Sequence, residues 1–163
     1  MKARPGHFVL DSYAILAHFE HEAGAARVRE ILEQGQQNQA TIYLSVVNYG
    51  EVVYITEREQ GLSAAQHVIA AMDQWPVTLV EADRKLTLAA AHVKAHYAIS
   101  YADAFAVALA QSRQAMLLTG DPEFRKVEDL ITIDWLAHNK PELLANTPAK
   151  SSSSANQPAN HAT

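Results

Sequence analysis

The chain has 163 residues, of which 48% are hydrophobic and 19% charged, with a formal net charge of −5 and no cysteine. This is the size of one domain with a full core, its composition is that of an ordinary globular protein, and its apolar runs are too short for a membrane span. Disulfides and thiolate metal sites are excluded, and the acidic balance argues against a broad nucleic-acid-binding surface without excluding an enzyme that gathers acids around a cation.

The basic start, Met1 to His7, is followed only by Phe8, Val9 and Leu10 before Asp11 interrupts. No secretory signal core is expected there, and the protein is expected to be cytoplasmic. Phe8 to Leu10 predicts a buried strand and Ser12 to Phe19 the first helix, with Asp11 at the junction. Ala25 to Gln34 predicts an amphipathic helix with Val28, Ile31 and Leu32 inward, ending near Gly35. Thr41 to Leu44 is β-branched and aromatic and predicts the second strand. Ser45 is the expected N-cap of a helix that carries Glu51, runs to Gln60 and is stopped by Gly61.

Leu62 to Trp75 predicts another helix, closed by Pro76, and Val77 to Val80 the third strand. Asp83 caps a helix reaching Tyr97. Ile99 to Ala110 reads as a buried helix, because only Ser100 and Asp103 in it are polar. Ala115 to Leu118 predicts the fourth strand, Thr119 to Pro122 a turn, Glu123 to Lys126 a helical turn, and Leu130 to Ile133 the fifth strand. Strands alternating with helices, and apolar on both faces, predict an α/β fold of three layers, α/β/α, around a central parallel five-stranded sheet. From Asn139 the composition turns to Pro, Ser and Asn, so 1–138 is expected to form the domain and 139–163 a mostly disordered tail.

Four acids stand at the edges of apolar elements: Asp11, Glu51, Asp103 and Asp121. Each has a structural alternative. Asp11 and Asp121 suit N-caps, the latter with Pro122 at the first helical position; Ser100 and Asp103 suit a capping box; Glu51 suits a solvated helix face. Taken together they suggest more, because an ionised carboxylate in apolar surroundings is costly unless paired or coordinated. The nearest bases to Asp103, Lys94 and Arg113, lie most of a helix away. A parallel sheet gathers its strand C-termini on one edge, with Asp11 and Asp121 following strands there and Glu51 and Asp103 expected in the first turns of helices starting there. Hard oxygen ligands select Mg²⁺ or Mn²⁺, and such an ion suits phosphodiester hydrolysis.

The motifs Val9-Leu10-Asp11, Tyr49-Gly50-Glu51, Asp103-Ala104-Phe105-Ala106 and Leu118-Thr119-Gly120-Asp121 with Phe124 occur in that order over Phe8 to Leu136. The chain thereby resembles the PIN-domain ribonucleases, in particular the VapC-type toxins of bacterial toxin–antitoxin pairs. The resemblance implies a PIN-like nuclease domain and a dimeric, metal-dependent endoribonuclease. It also implies inhibition by a cognate antitoxin that inserts a segment near the active site. It further implies that Asp11 and Asp103 are the principal metal ligands, with Glu51 and Asp121 completing the set directly or through water. Thr119 and Ser12 are expected to orient that set. Arg125 and Lys126 are candidate phosphate contacts beside the alternative of a solvated charge pair.

His92 and His96 are four apart on one helix but have no third ligand at matching spacing for zinc. No glycine-rich phosphate loop and no Gly-x-Ser-x-Gly elbow is present. Two other readings stay open: a catalytically silent interaction module on the same fold, and a structure-specific DNA nuclease.

Overall fold

The computed structural model describes residues 2–138; the expected tail, 139–163, lies outside the described residues. Five parallel strands form one sheet in the order β3-β2-β1-β4-β5: β1 (His7–Leu10), β2 (Thr41–Ser45), β3 (Val77–Val80), β4 (Met116–Thr119) and β5 (Ile133–Trp135). Between them run α1 (Ser12–Phe19), α2 (Ala25–Gln36), α3 (Val46–Gln60), α4 (Leu62–Met72), α5 (Arg84–His96) and α6 (Tyr101–Arg113), with a 3-10 turn over Pro122–Val127. Among the described residues no helix is long and apolar enough to cross a membrane.

Alternation along the strands assigns the two outer layers. Val9 and Leu117 face α5 and α6, whereas Phe8, Leu10, Ile42, Leu44 and Leu118 face the side packed by α1, α2 and α4. Both faces are therefore apolar, and the strands read as continuous hydrophobic runs. Helix α6 is buried from Ala104 to Ala110, as its composition predicts. Ser45 and Asp83 are N-caps, accepting from the Val47 and Leu86 amides at 3.1 and 2.7 Å. Gly61 ends α3 at φ 90°, a left-handed value that favours glycine.

The topology sets where a site can form. From β1 the chain builds outward through β2 to β3, then crosses back to lay β4 and β5 on the other side of β1. The C-terminal ends of β1 and β4 thus flank a switch point, where a crevice opens in such sheets.

The structure corrects three boundaries. The fifth strand is Ile133–Trp135, not Leu130 to Ile133, and pairs Leu117 with Ile133 and Thr119 with Trp135. Ile131 is instead buried and Leu130 packs against the core formed by α5 and α6. A sheet edge tolerates the polar Asp134 in its place, because Arg27 grips that carboxylate with Nε at 3.1 Å and a terminal nitrogen at 2.7 Å. Helix α4 ends at Met72 rather than Trp75, and α6 spans Tyr101–Arg113 with Ser100 as its N-cap.

Gly35 does not terminate α2; it lies inside it, buried, where the sheet and the β3 approach press closest. A Cβ there would stand 2.8 Å from Ile42 Cδ1 and 2.9 Å from Pro76 Cγ. Gly35→Ala is expected to destabilise the protein by about 1–3 kcal/mol, the usual effect of overpacking. Gly50→Ala, at a helix position where a Cβ meets nothing within 4 Å, is expected to be neutral or stabilising by up to about 1 kcal/mol. Urea unfolding of both variants checks the pair, and equal effects would contradict the packing account.

Candidate active site

The four acids meet. Asp11, Glu51, Asp103 and Asp121 line a single cleft of about 290 Å³, together with Ser12, Tyr13, Leu16, Ile55, Ser100 and Glu123. It lies at the switch point, beyond the ends of β1 and β4.

Each acid is placed by local chemistry. Asp11 caps α1, its Oδ1 accepting from the Ala14 amide at 2.8 Å. Its Oδ2 accepts from the Thr119 hydroxyl at 2.5 Å, across the β1–β4 pairing. Thr119 Oγ1 also accepts from the Asp121 amide at 3.0 Å, so one hydroxyl links two acids. Asp121 caps the 3-10 turn through the Glu123 amide at 2.8 Å, with Pro122 at the first position. Asp103 closes the capping box with Ser100. Glu51 is the sixth residue of α3, a turn later than expected, and accepts from the Ser12 hydroxyl at 2.5 Å. Asp11, Asp103 and Asp121 therefore each take part in capping an element and also line the cleft.

Asn48 was not legible in the sequence. It is buried, one turn before Glu51, with its amide nitrogen 3.2 Å from Ser12 Oγ and 3.2 Å from the Ala102 carbonyl. Tyr13 was also missed; its ring lies against Gly120, where a Cβ would overlap it. The two candidate phosphate contacts, Arg125 and Lys126, are not among the residues that line the cleft. Arg125 lies over the Trp135 ring at 5.5 Å, and Lys126 donates to the Ala98 carbonyl at 2.7 Å beside Glu123.

No ion pair among the described residues reaches any of the four acids. Burial pushes the Asp11 carboxyl from its ordinary 3.8 up to about 8; the Thr119 and Ala14 hydrogen bonds oppose this, and Asp103 and Asp121 add to it. Burial also raises Asp103, opposed by Ser100 and reinforced by Asp121 and Glu51. Among the described residues no three such side chains already stand at the mutual spacing of a metal cage. The donor set nevertheless suits a hard dication. It is all oxygen, it lacks any counter-charge, and Mg²⁺ takes one or two carboxylates directly while keeping several waters.

The PIN domain model matches residues 8–130. The chain belongs to the PIN-domain family. Solved structures of similar fold include VapBC2 from Rickettsia felis, bound to a DNA fragment from its promoter. It has 16% identity, coverage of 79% of this chain and 98% of that one, and a TM-score of 0.63. VapC20 from Mycobacterium tuberculosis, a toxin that cleaves the sarcin–ricin loop, has 16% identity, coverage of 78% and 98%, and a TM-score of 0.60. VapBC-1 from nontypeable Haemophilus influenzae has 20% identity, coverage of 79% and 98%, and a TM-score of 0.59. No curated protein matches the chain in sequence. This PIN domain thus has the three-layer fold expected from its sequence, shared with VapC-type toxins.

The raised Asp11 carboxyl makes a signed prediction. Between about pH 4 and 8 the folded state holds a proton that the unfolded state has released, so metal-free stability falls as pH rises through that window. The melting temperature of EDTA-treated protein is expected to drop across it, and Asp11→Asn to remove this part of the slope. Mn²⁺ should restore stability most at the alkaline end, where the carboxylate charge needs a partner. A slope unchanged by Asp11→Asn would refute the assignment.

Proposed function

We propose that this PIN domain is a divalent-metal-dependent endoribonuclease and the toxin half of a toxin–antitoxin pair, acting in the cytoplasm. One observation carries the reading: four carboxylates from four separate segments line one cleft at the sheet's switch point, with no Lys, Arg or His among the described residues that line it. Family membership supports nuclease chemistry. The similar fold of a sarcin–ricin loop cleaving toxin supports RNA as substrate, and that of VapBC complexes supports a cognate antitoxin as partner. A homodimer belongs to the same reading.

When bound, Mg²⁺ or Mn²⁺ supplies the positive charge that draws a phosphodiester into an acidic cleft and makes water a competent nucleophile. Asp11 and Asp103 would be its principal holders, with Glu51 and Asp121 completing the set directly or through water. Thr119 keeps Asp11 in place and Ser12 keeps Glu51 in place. Asp121 Oδ2 and Glu51 Oε1 meet no hydrogen-bond donor among the described residues and remain for the ion or its waters. Arg125 and Lys126 would touch phosphate only on leaving Trp135 and the Ala98 carbonyl.

The test is cleavage of structured RNA by purified protein in EDTA, Mg²⁺ and Mn²⁺, with single-stranded and duplex DNA alongside. Cutting of RNA that requires metal is expected. Asp11→Asn and Asp103→Asn should each lower it by more than the roughly 10–100-fold that loss of an outer partner costs, with the circular dichroism spectrum unchanged. Preferential cutting of DNA would move the assignment to a DNA nuclease. Absence of both cutting and metal binding would make the chain an interaction module.

A further inference from the structure

We infer that Asn48 is a positioning residue that, through the Ser12 hydroxyl, fixes how Glu51 presents its carboxylate to the cleft. This rests on the reading of the cleft as a metal site and extends it to a side chain outside the acidic set.

The hydrogen-bond directions leave one arrangement. The Asn48 side chain is 0% exposed, so water does not complete its bonding. Its nitrogen lies 3.2 Å from the Ala102 carbonyl, which can only accept, and the side chain must therefore present its NH₂ there. Turning the amide over would set two acceptors face to face. The same NH₂ reaches Ser12 Oγ at 3.2 Å, so Ser12 accepts from Asn48 and has a single proton to give. Glu51 Oε2 at 2.5 Å is a better acceptor for it than the Asn48 main-chain carbonyl at 3.3 Å, because a bond to a carboxylate is shorter and stronger. The chain of donation runs from Asn48 to Ser12 to Glu51, with Ala102 fixing its polarity.

Two further features fit a positioning role. Asn48 Oδ1 is buried without a hydrogen-bond partner among the described residues, a loss of stability that a hydrocarbon of similar size would avoid. Asn48 also precedes Glu51 by three residues in α3, so both lie on the same side of the helix and both reach Ser12 at the start of α1. Ser12 is thereby held from one side by Asn48 and holds Glu51 on the other, leaving Oε1 as the oxygen that can turn to an ion.

The experiment is a double-mutant cycle on the full chain, measuring Mn²⁺ affinity by electron paramagnetic resonance and RNA cleavage in the same preparations. Folding is followed by circular dichroism. Asn48→Ala is expected to weaken Mn²⁺ binding by about 10–100-fold, as loss of an orienting partner does. In a Glu51→Ala background the same substitution should change affinity by less than about twofold, because the group it orients is gone. An equal loss in both backgrounds, or none in either, overturns the inference and makes Asn48 a tie between helices. If Asn48→Ala does not fold, Asn48→Leu, similar in size and without the unpartnered Oδ1, breaks the same chain of donation and is judged by the same two criteria. Failure of the wild type to bind Mn²⁺ overturns the metal reading and this inference together. Coupled Mn²⁺ effects without RNA cleavage support the inference and overturn the nuclease reading alone.

Discussion

Asp11 is 1% exposed, and the groups that hold it, a backbone amide and a threonine hydroxyl, are neutral. Once ionised, its charge is solvated by dipoles and balanced by no ion pair among the described residues. Much of the site's geometry follows from that constraint. The carboxylate joins the end of β1 to the start of α1 and, through Thr119, to the end of β4, so the two strands at the switch point and the first helix share one polar anchor. Removing its negative charge relieves the burial; adding a dication does the same without losing the hydrogen bonds.

The same economy runs through the other acids. Asp103 and Asp121 each spend one oxygen on a backbone amide at a helix or turn start and also line the cleft. A cap needs its side chain at the very start of an element, and in a parallel sheet several of those starts lie on one edge. Capping and a place in the cleft therefore coincide instead of competing. Glu51 is the exception: no cap holds it, and the orientation of its longer side chain depends on Ser12 and, behind Ser12, on Asn48.

Charge is distributed to match. Arg27 is used at the β5 edge on Asp134, Arg113 lies over Tyr43, and Arg125 lies over Trp135, so these three guanidinium groups stabilise the scaffold and do not line the cleft. A net charge of −5 with an acidic cleft repels a polyanion until a dication reverses the local field. On the proposed reading, metal occupancy would favour substrate binding through this electrostatic reversal.

The sequence by itself determined the order of strands and helices, the buried character of α6, and the caps at Ser45, Asp83, Ser100 and Asp121, because periodicity and capping act over a few neighbouring residues. It also indicated which acids to compare, since each of the four stands at the edge of an apolar element. Tertiary structure decided the rest. Whether the acids share a cleft depends on the crossover after β3, which no local pattern encodes. The fifth strand moved because an edge position and the distant Arg27 make Asp134 acceptable in a strand. Gly35 became a packing residue because Ile42 and Pro76, remote in sequence, press against it. Arg125 and Lys126 left the cleft for partners on other segments. Asn48 looked like any polar helix residue until Ser12 and Ala102 were brought to its two sides, since a hydrogen bond between distant segments leaves no periodic trace in the chain.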